Sequence, residues 1–211
     1  MAIPRIGDLA PDFIAPSTQG EISFHTWKAQ SWAVLFSHPA DFTPVCATEL
    51  SEFARRADEF SALNTKLIGL SIDSIHSHLA WIQNLEAMFK ITLPYPLIAD
   101  ITTDVAQKFG MLHPNESSTA TVRALFIIDD QHVVRALIYY PLNVGRNVDE
   151  VLRTLTALKT ADHGSVACPV NWTPGDPVVL PPPKTVDAVA NHNELQNVDR
   201  LDFYLVKREH P

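Results

Sequence analysis

Strand-like and helix-like segments alternate along most of this 211-residue chain, and that alternation restricts the fold more than any other feature. Ser31 to Ser37 (SWAVLFS) is a short apolar run bounded by polar residues, the pattern of a buried strand. After a loop with two prolines, Leu50, Phe53, Ala54, Ala57 and Phe60 recur at helical spacing. Lys66 to Asp73 reads as a second strand, and Leu79, Ile82, Leu85 and Phe89 mark a second helix. Pro94 to Ala99 is a short strand, followed by a short helix over Thr103 to Phe109. Val122 to Asp129 and Val133 to Tyr140 are strands whose connection, Asp130-Gln131-His132, suits a hairpin. Val148, Val151, Leu152, Leu155 and Leu158 then give an amphipathic helix. Such an order predicts an α/β architecture, a mixed central sheet flanked by helices.

The pattern changes after His163. CPVNWTPGDPVVLPPPK is rich in proline and lacks the periodicity of a long element. The tail beyond it holds a weak helix and a short strand candidate, Phe203 to Val206. We expect a main domain over residues 1–163 and a C-terminal extension over 164–211. The extension is too small to bury much surface alone, so it packs on the main domain or on another subunit.

Charge and cysteine usage remove several function classes. A formal net charge of -8 without a basic tract argues against nucleic acid or anionic lipid as partner. The start, MAIPRIGDLAPDF, lacks the basic-then-apolar pattern of a signal peptide, and the longest apolar runs are too short to span a bilayer. A cytoplasmic protein is expected. Two cysteines, Cys46 and Cys168, do not make a secreted disulfide scaffold. In a reducing compartment each is an inert core residue, a metal ligand or a reactive thiol.

Cys46 falls between the proline-containing loop and the helical run, in the first turn of a helix. Backbone N–H groups there lack intrahelical partners and the helix dipole favours negative charge, which suits a thiolate. Pro39 and Pro44 restrict the loop, and Pro44 sits where a first-turn proline sacrifices no needed donor. Thr43 is an N-cap candidate whose hydroxyl could also face the thiolate or a bound oxygen. The competing reading makes Cys46 a small core residue and Thr43 a cap only. Arg123 opens TVRALFIID, a strand apolar on both faces, where a buried cation needs partners. Its planar fork suits several acceptors; the alternative is a solvated strand-end residue. Arg146 has a similar, weaker claim. Glu49, one turn beyond Cys46, could orient either arginine or serve as an ordinary first-turn acid.

These residues carry a family resemblance. HPADFTPVCATEL resembles the peroxiredoxin signature P-x-x-x-T-x-x-C, here Pro39, Thr43 and Cys46. TVRALFIID is similar to the segment with that family's active-site arginine, here Arg123. YYPLNVGRNVDEVLR and VACPVNWTPGD resemble the one-cysteine, peroxiredoxin 6-like branch. The resemblance implies a thioredoxin-like fold with an extension that makes dimer contacts. It implies reduction of hydrogen peroxide and organic hydroperoxides, with Cys46 becoming a sulfenic acid. Arg123, Thr43 and backbone N–H groups would hold the peroxide, Pro39 would shield it, and His38, Glu49 and Arg146 would support the pocket. No metal or organic cofactor is implied. An external thiol such as glutathione or a thioredoxin-like protein would restore Cys46, in a homodimer or higher oligomer.

Cys168 is the one residue that could change the regeneration step, as a resolving thiol. Ser31 and His25 raise a lipase reading, but Ala29-Gln30-Ser31-Trp32-Ala33 lacks both glycines of a G-x-S-x-G elbow. His76 and His78, at the start of a helix, point their rings apart with no partner cluster evident, so no metal site is expected. A redox-sensing or holdase protein using the same thiol is the non-enzymatic alternative. A thioredoxin-type oxidoreductase is disfavoured by the absence of C-x-x-C.

Overall fold

A seven-stranded mixed sheet organises the chain up to Val148 in the computed structural model, which describes residues 3–209. Its elements are β1 (Ile14–Ser17), β2 (Gly20–Ser23), α1 (Phe24–Lys28), β3 (Trp32–Ser37), α2 (Pro44–Arg55), α3 (Ala57–Ala62), β4 (Thr65–Ser71), α4 (Ile75–Phe89), β5 (Leu97–Ala99), α5 (Asp104–Lys108), β6 (Arg123–Ile128) and β7 (Val134–Tyr140). The strand order is β2-β1-β5-β4-β3-β6-β7. β3, β4 and β5 run parallel, while β6 is antiparallel to β3 and β7 to β6.

Both faces of the central strands are covered, which is why they read as unbroken apolar runs rather than alternating ones. All six residues of β3 and of β6 are buried. One face carries Ala33, Leu35, Ile68, Ile98, Phe126 and Ile128, packed with Phe13, Phe24 and Phe109. Phe109 makes edge contacts with Phe13, Phe24 and Phe126, at centroid distances of 6.0, 6.4 and 5.1 Å. The opposite face presents Phe36, which stacks on Phe53 of α2 at 4.3 Å. Gly69 of β4 lies there too; a Cβ would sit 2.5 Å from Leu97 Cδ2. Arg123 shares this face, because β6 pairs with β3 through Phe36↔Leu125 and Val34↔Ile127.

Two features are not evident from the sequence. The apolar spacing from Leu50 to Phe60 spans two helices, α2 and α3, broken at Arg56 where ψ turns to 4°. The break leaves the apolar stripe in phase, so periodicity alone does not reveal it. The β1–β2 hairpin went unread, since four-residue strands give little alternation; Ser17 Oγ and Gly20, at φ 99°, close its turn. From Asp149 onward a second compact unit begins. It holds most of α6 (Val148–Gly164), then β8 (Val178–Val179), α7 (Val186–Asn193), β9 (Asp199–Asp202) and β10 (Leu205–Arg208). The three strands form a small antiparallel sheet, β8-β10-β9, over Val166, Val178, Leu180 and Val206. β9 is polar (DRLD), so nothing in its composition announces a strand. Among the described residues no helix is long and apolar enough to cross a membrane.

Phe109 tests this core directly. Phe109→Ala should lower stability by about 3–5 kcal/mol, the usual cost of deleting a fully buried aromatic ring. Urea unfolding should show a lower midpoint with an unchanged slope; an unchanged midpoint would contradict the packing described.

Candidate active site

The loop after β3 and the first turn of α2 fix Cys46. Thr43 is the N-cap residue in extended conformation and Pro44 occupies the first turn. The first intrahelical bond runs from the Ala47 N–H to the Thr43 carbonyl at 3.0 Å. Cys46 is fully buried. The Thr43 side chain makes no capping bond; its hydroxyl donates instead to the Ala40 carbonyl at 2.8 Å. Pro39 is buried, whereas Phe42, at φ 54°, is exposed. The end of β3 is tied to β6 by two hydroxyls. Ser37 donates to the Val122 carbonyl at 2.6 Å and accepts from the Ala124 N–H, and Thr121 donates to the His38 carbonyl at 2.8 Å.

Arg123 reaches the sulfur from β6. Its Nη1 donates to Cys46 Sγ at 3.3 Å and to Glu49 Oε2 at 2.7 Å. Nε and Nη2 donate to the Leu142 carbonyl. Arg146 grips the same carboxylate: its backbone N–H and Nε donate to Glu49 Oε1 at 2.7 and 2.8 Å, and Nη2 to Oε2 at 2.8 Å. Its Nη1 donates to the Ala124 carbonyl, and its guanidinium lies over the rings of Phe36 and Phe53. Glu49 therefore orients both arginines at once, where the sequence suggested one or the other. All three side chains are almost fully buried. Burial works to raise the Glu49 pKa, but the charge and hydrogen bonds of Arg146, then Arg123, hold it below the usual carboxylate range.

A second buried polar group lies in the same loop. Asp41 accepts from His38 Nε2 at 2.9 Å and from His78 Nδ1 at 2.8 Å. The second ring nitrogen of His78 lies 3.1 Å from the Ile98 carbonyl. Burial disfavours the Asp41 carboxylate, yet hydrogen bonds from both imidazoles outweigh it and hold its pKa well below the normal range. Burial lowers the His38 pKa against the pull of Asp41. His38 Nδ1 is buried and has no hydrogen-bond partner among the described residues. Among the described residues, His38, Asp41 and His78 form the group with metal-ligand donors close together, within 4.8 Å. No local spacing pairs His78 with these groups, because they lie 37 and 40 positions earlier in the chain. Asp41 is hidden in the sequence for the same reason.

The remaining candidates take no part in these bonds. Both cysteines are free, and Cys168 is partly buried with Sγ 3.5 Å from the Ala157 carbonyl. Burial pushes its thiol pKa up, opposed by Arg153. The Ser31 hydroxyl bonds to Asn64 Oδ1, and the His25 ring to the Ala10 carbonyl.

Comparison with known proteins gives the family. Residues 6–137 match the AhpC/TSA family, and residues 157–194 the C-terminal domain of 1-Cys peroxiredoxin. The chain belongs to the peroxiredoxins. A peroxiredoxin of Aquifex aeolicus is 47% identical, the match covering 99% of this chain and 98% of that protein. One of Methanosarcina mazei is 47% identical over 96% of each. The structure of a yeast mitochondrial 1-Cys peroxiredoxin is similar at TM-score 0.90 and 40% identity, covering 99% of this chain and 100% of that one. The peroxiredoxin 6 of Arenicola marina gives TM-score 0.90 at 35% identity, covering 98% of each chain. The fold is accordingly the thioredoxin-like one, with a C-terminal extension, and this peroxiredoxin is a thiol-dependent peroxidase.

The two buried carboxylates give the stability a pH dependence of definite sign. Asp41 and Glu49 titrate below the values of about 4 for an unfolded chain, so as pH falls the unfolded state takes up protons first. Their stabilisation is complete above about pH 5 and is lost as pH drops through the lower folded values. Urea midpoints measured from pH 7 to pH 3 should fall, and Glu49→Gln should fall less steeply. Parallel curves for the two proteins would contradict the ion-pair assignment.

Proposed function

We propose that Cys46 is the thiol that attacks peroxide. The observation carrying this reading is the 3.3 Å contact from Arg123 to Cys46 Sγ inside a buried cluster where two guanidinium groups face one carboxylate. That cluster has a surplus positive charge, and a thiolate at Sγ neutralises it. The thiolate attacks the terminal oxygen of a hydroperoxide: an S–O bond forms as the O–O bond breaks. The electron pair leaves on the other oxygen, which takes a proton and departs as water or an alcohol, and Cys46 becomes a sulfenic acid. Arg123 and the N–H groups opening α2 stabilise charge on the separating oxygens. The Thr43 hydroxyl, whose proton points to Ala40, keeps lone pairs free to accept from the peroxide O–H. Pro39 shields the sulfur, His38 lines the pocket, and Glu49 with Arg146 holds Arg123 in place.

An external thiol then condenses with the sulfenic acid, releasing water, and a second thiol reduces the mixed disulfide. Glutathione and thioredoxin-like proteins are the reductants we favour; the similar yeast structure is described as resolving through glutathione and thioredoxin systems. We assign Cys168 no obligatory part: it is a free thiol whose Sγ lies 3.5 Å from the Ala157 carbonyl. We take residues 1–163 as the peroxidase domain and 164–211 as a dimer-forming extension. Exposed Val170, Val186, Leu201 and Phe203 give that segment apolar surface suited to a homodimer. A cytoplasmic setting suits two unpaired thiols.

With glutathione or dithiothreitol as reductant, Cys46→Ser should abolish peroxide consumption, while Cys168→Ser should turn over like the parent. Peroxide consumption surviving in Cys46→Ser would overturn the reading. Arg123→Gln should slow the peroxide reaction by about 10²–10³-fold, the usual cost of removing a charge-stabilising donor.

A further inference from the structure

We infer that His78, outside the cysteine motif, is a positioning residue of the peroxidase site, acting through Asp41 on the loop that carries Pro39 and Thr43. The inference rests on the Cys46 reading and extends it to α4. The loop from His38 to Thr43 is held at its start, where the His38 N–H donates to the Leu70 carbonyl and the Thr121 hydroxyl to the His38 carbonyl. Further along, Asp41 supplies the anchors. Its backbone N–H donates to Asp73 Oδ2 at 3.0 Å, and its carboxylate takes one hydrogen bond from each of two imidazoles. His38 opens the same loop, so its bond ties Asp41 only to the held end of β3. His78 reaches further: it stands on α4 and its other nitrogen faces the Ile98 carbonyl of β5. One ring thereby joins the loop, a helix and a strand. Trp81, one turn further along α4, packs 5.4 Å from His38 and 6.0 Å from Phe42, so the helix backs the loop on both sides of Asp41.

The charges explain why this tether is a histidine. The Asp41 side chain is 1% exposed, and a buried carboxylate needs charged or strong donors. Both ring nitrogens of His78 face acceptors, and a histidine ring presents a nitrogen to each side at once. His38 offers Asp41 one N–H and keeps a lone pair on Nδ1. The trio has the donor types of a metal site, but both Asp41 oxygens are already occupied by N–H groups at hydrogen-bond distance. A proton-bonded tether describes that geometry. Ala40, whose carbonyl takes the Thr43 hydroxyl, is the neighbour of Asp41, so slack at Asp41 passes directly to Thr43.

Two substitutions of similar size separate positioning from space-filling. The amide nitrogen of His78→Asn reproduces Nδ1 and can still donate to Asp41; that of His78→Gln reproduces Nε2, reaches Ile98 and leaves Asp41 short of a donor. The second-order rate constant for Cys46 oxidation by hydrogen peroxide would be read by stopped-flow fluorescence, with urea midpoints for both variants and Cys46→Ser as control. His78→Asn should keep the rate within a few-fold, and His78→Gln should lose about 10²-fold, the scale of an ångström-level misplacement. Equal rates in the two variants, or a His78→Gln rate equal to the parent, overturn the inference. Should Asn and Gln lose rate only in proportion to lost folded protein, the role is structural and the inference fails. A fluorescence change persisting in Cys46→Ser would instead sink the Cys46 reading beneath it.

Discussion

A single carboxylate, Glu49, holds the sulfur site together. It accepts four hydrogen bonds from Arg123 and Arg146 in an environment almost without solvent. Removing one partner from such a buried group typically costs about 3–5 kcal/mol, because the remaining charges lose their compensation. The arrangement contributes little as an isolated salt bridge. Its value is geometric: it fixes the guanidinium of Arg123 at Cys46 Sγ, and two cations against one anion leave positive charge where a thiolate would sit. Phe36 and Phe53, stacked together and lying under Arg146, make the floor that keeps the cluster dry.

The scaffold serves that cluster by bringing three distant segments to one face of the sheet. β3 ends where the cysteine loop begins, and α2 carries Cys46 and Glu49 one turn apart. β6, paired to β3 in antiparallel register, delivers Arg123 on the face of Phe36. Ser37 and Thr121 lock the two strand ends by hydroxyl bonds, so the distance from Arg123 to the sulfur is set by rigid elements rather than by loops.

Much of this is legible in the sequence, and the reasons differ by element. β3, β6 and α4 are long apolar runs or clear stripes, so their existence follows from periodicity. Cys46 and Arg123 stand out because each is chemically out of place, a thiol at a helix start and a cation in a buried strand. The α2–α3 break at Arg56 and the polar strand β9 escape, because neither disturbs the hydrophobic pattern. Asp41 and His78 escape for a different reason. Their meaning lies in a contact between positions 37 residues apart, and no local spacing encodes it. Glu49 is half legible: its place on the helix is readable, but its simultaneous hold on two arginines depends on the loop that returns Arg146 to α2.

The central claim is that Glu49 governs reactivity at a sulfur it does not touch. The direct measurement is the second-order rate constant of the Glu49→Gln variant with hydrogen peroxide, taken at neutral pH on protein verified as folded. Glutamine keeps the shape and removes the charge, so Arg123 loses its charged partner at Nη1 and keeps only the neutral Leu142 carbonyl at Nε and Nη2. The rate constant should fall by about 10²-fold or more, comparable to loss of a preorganised charge-stabilising group. A folded variant that reacts with peroxide as fast as the parent would contradict the account.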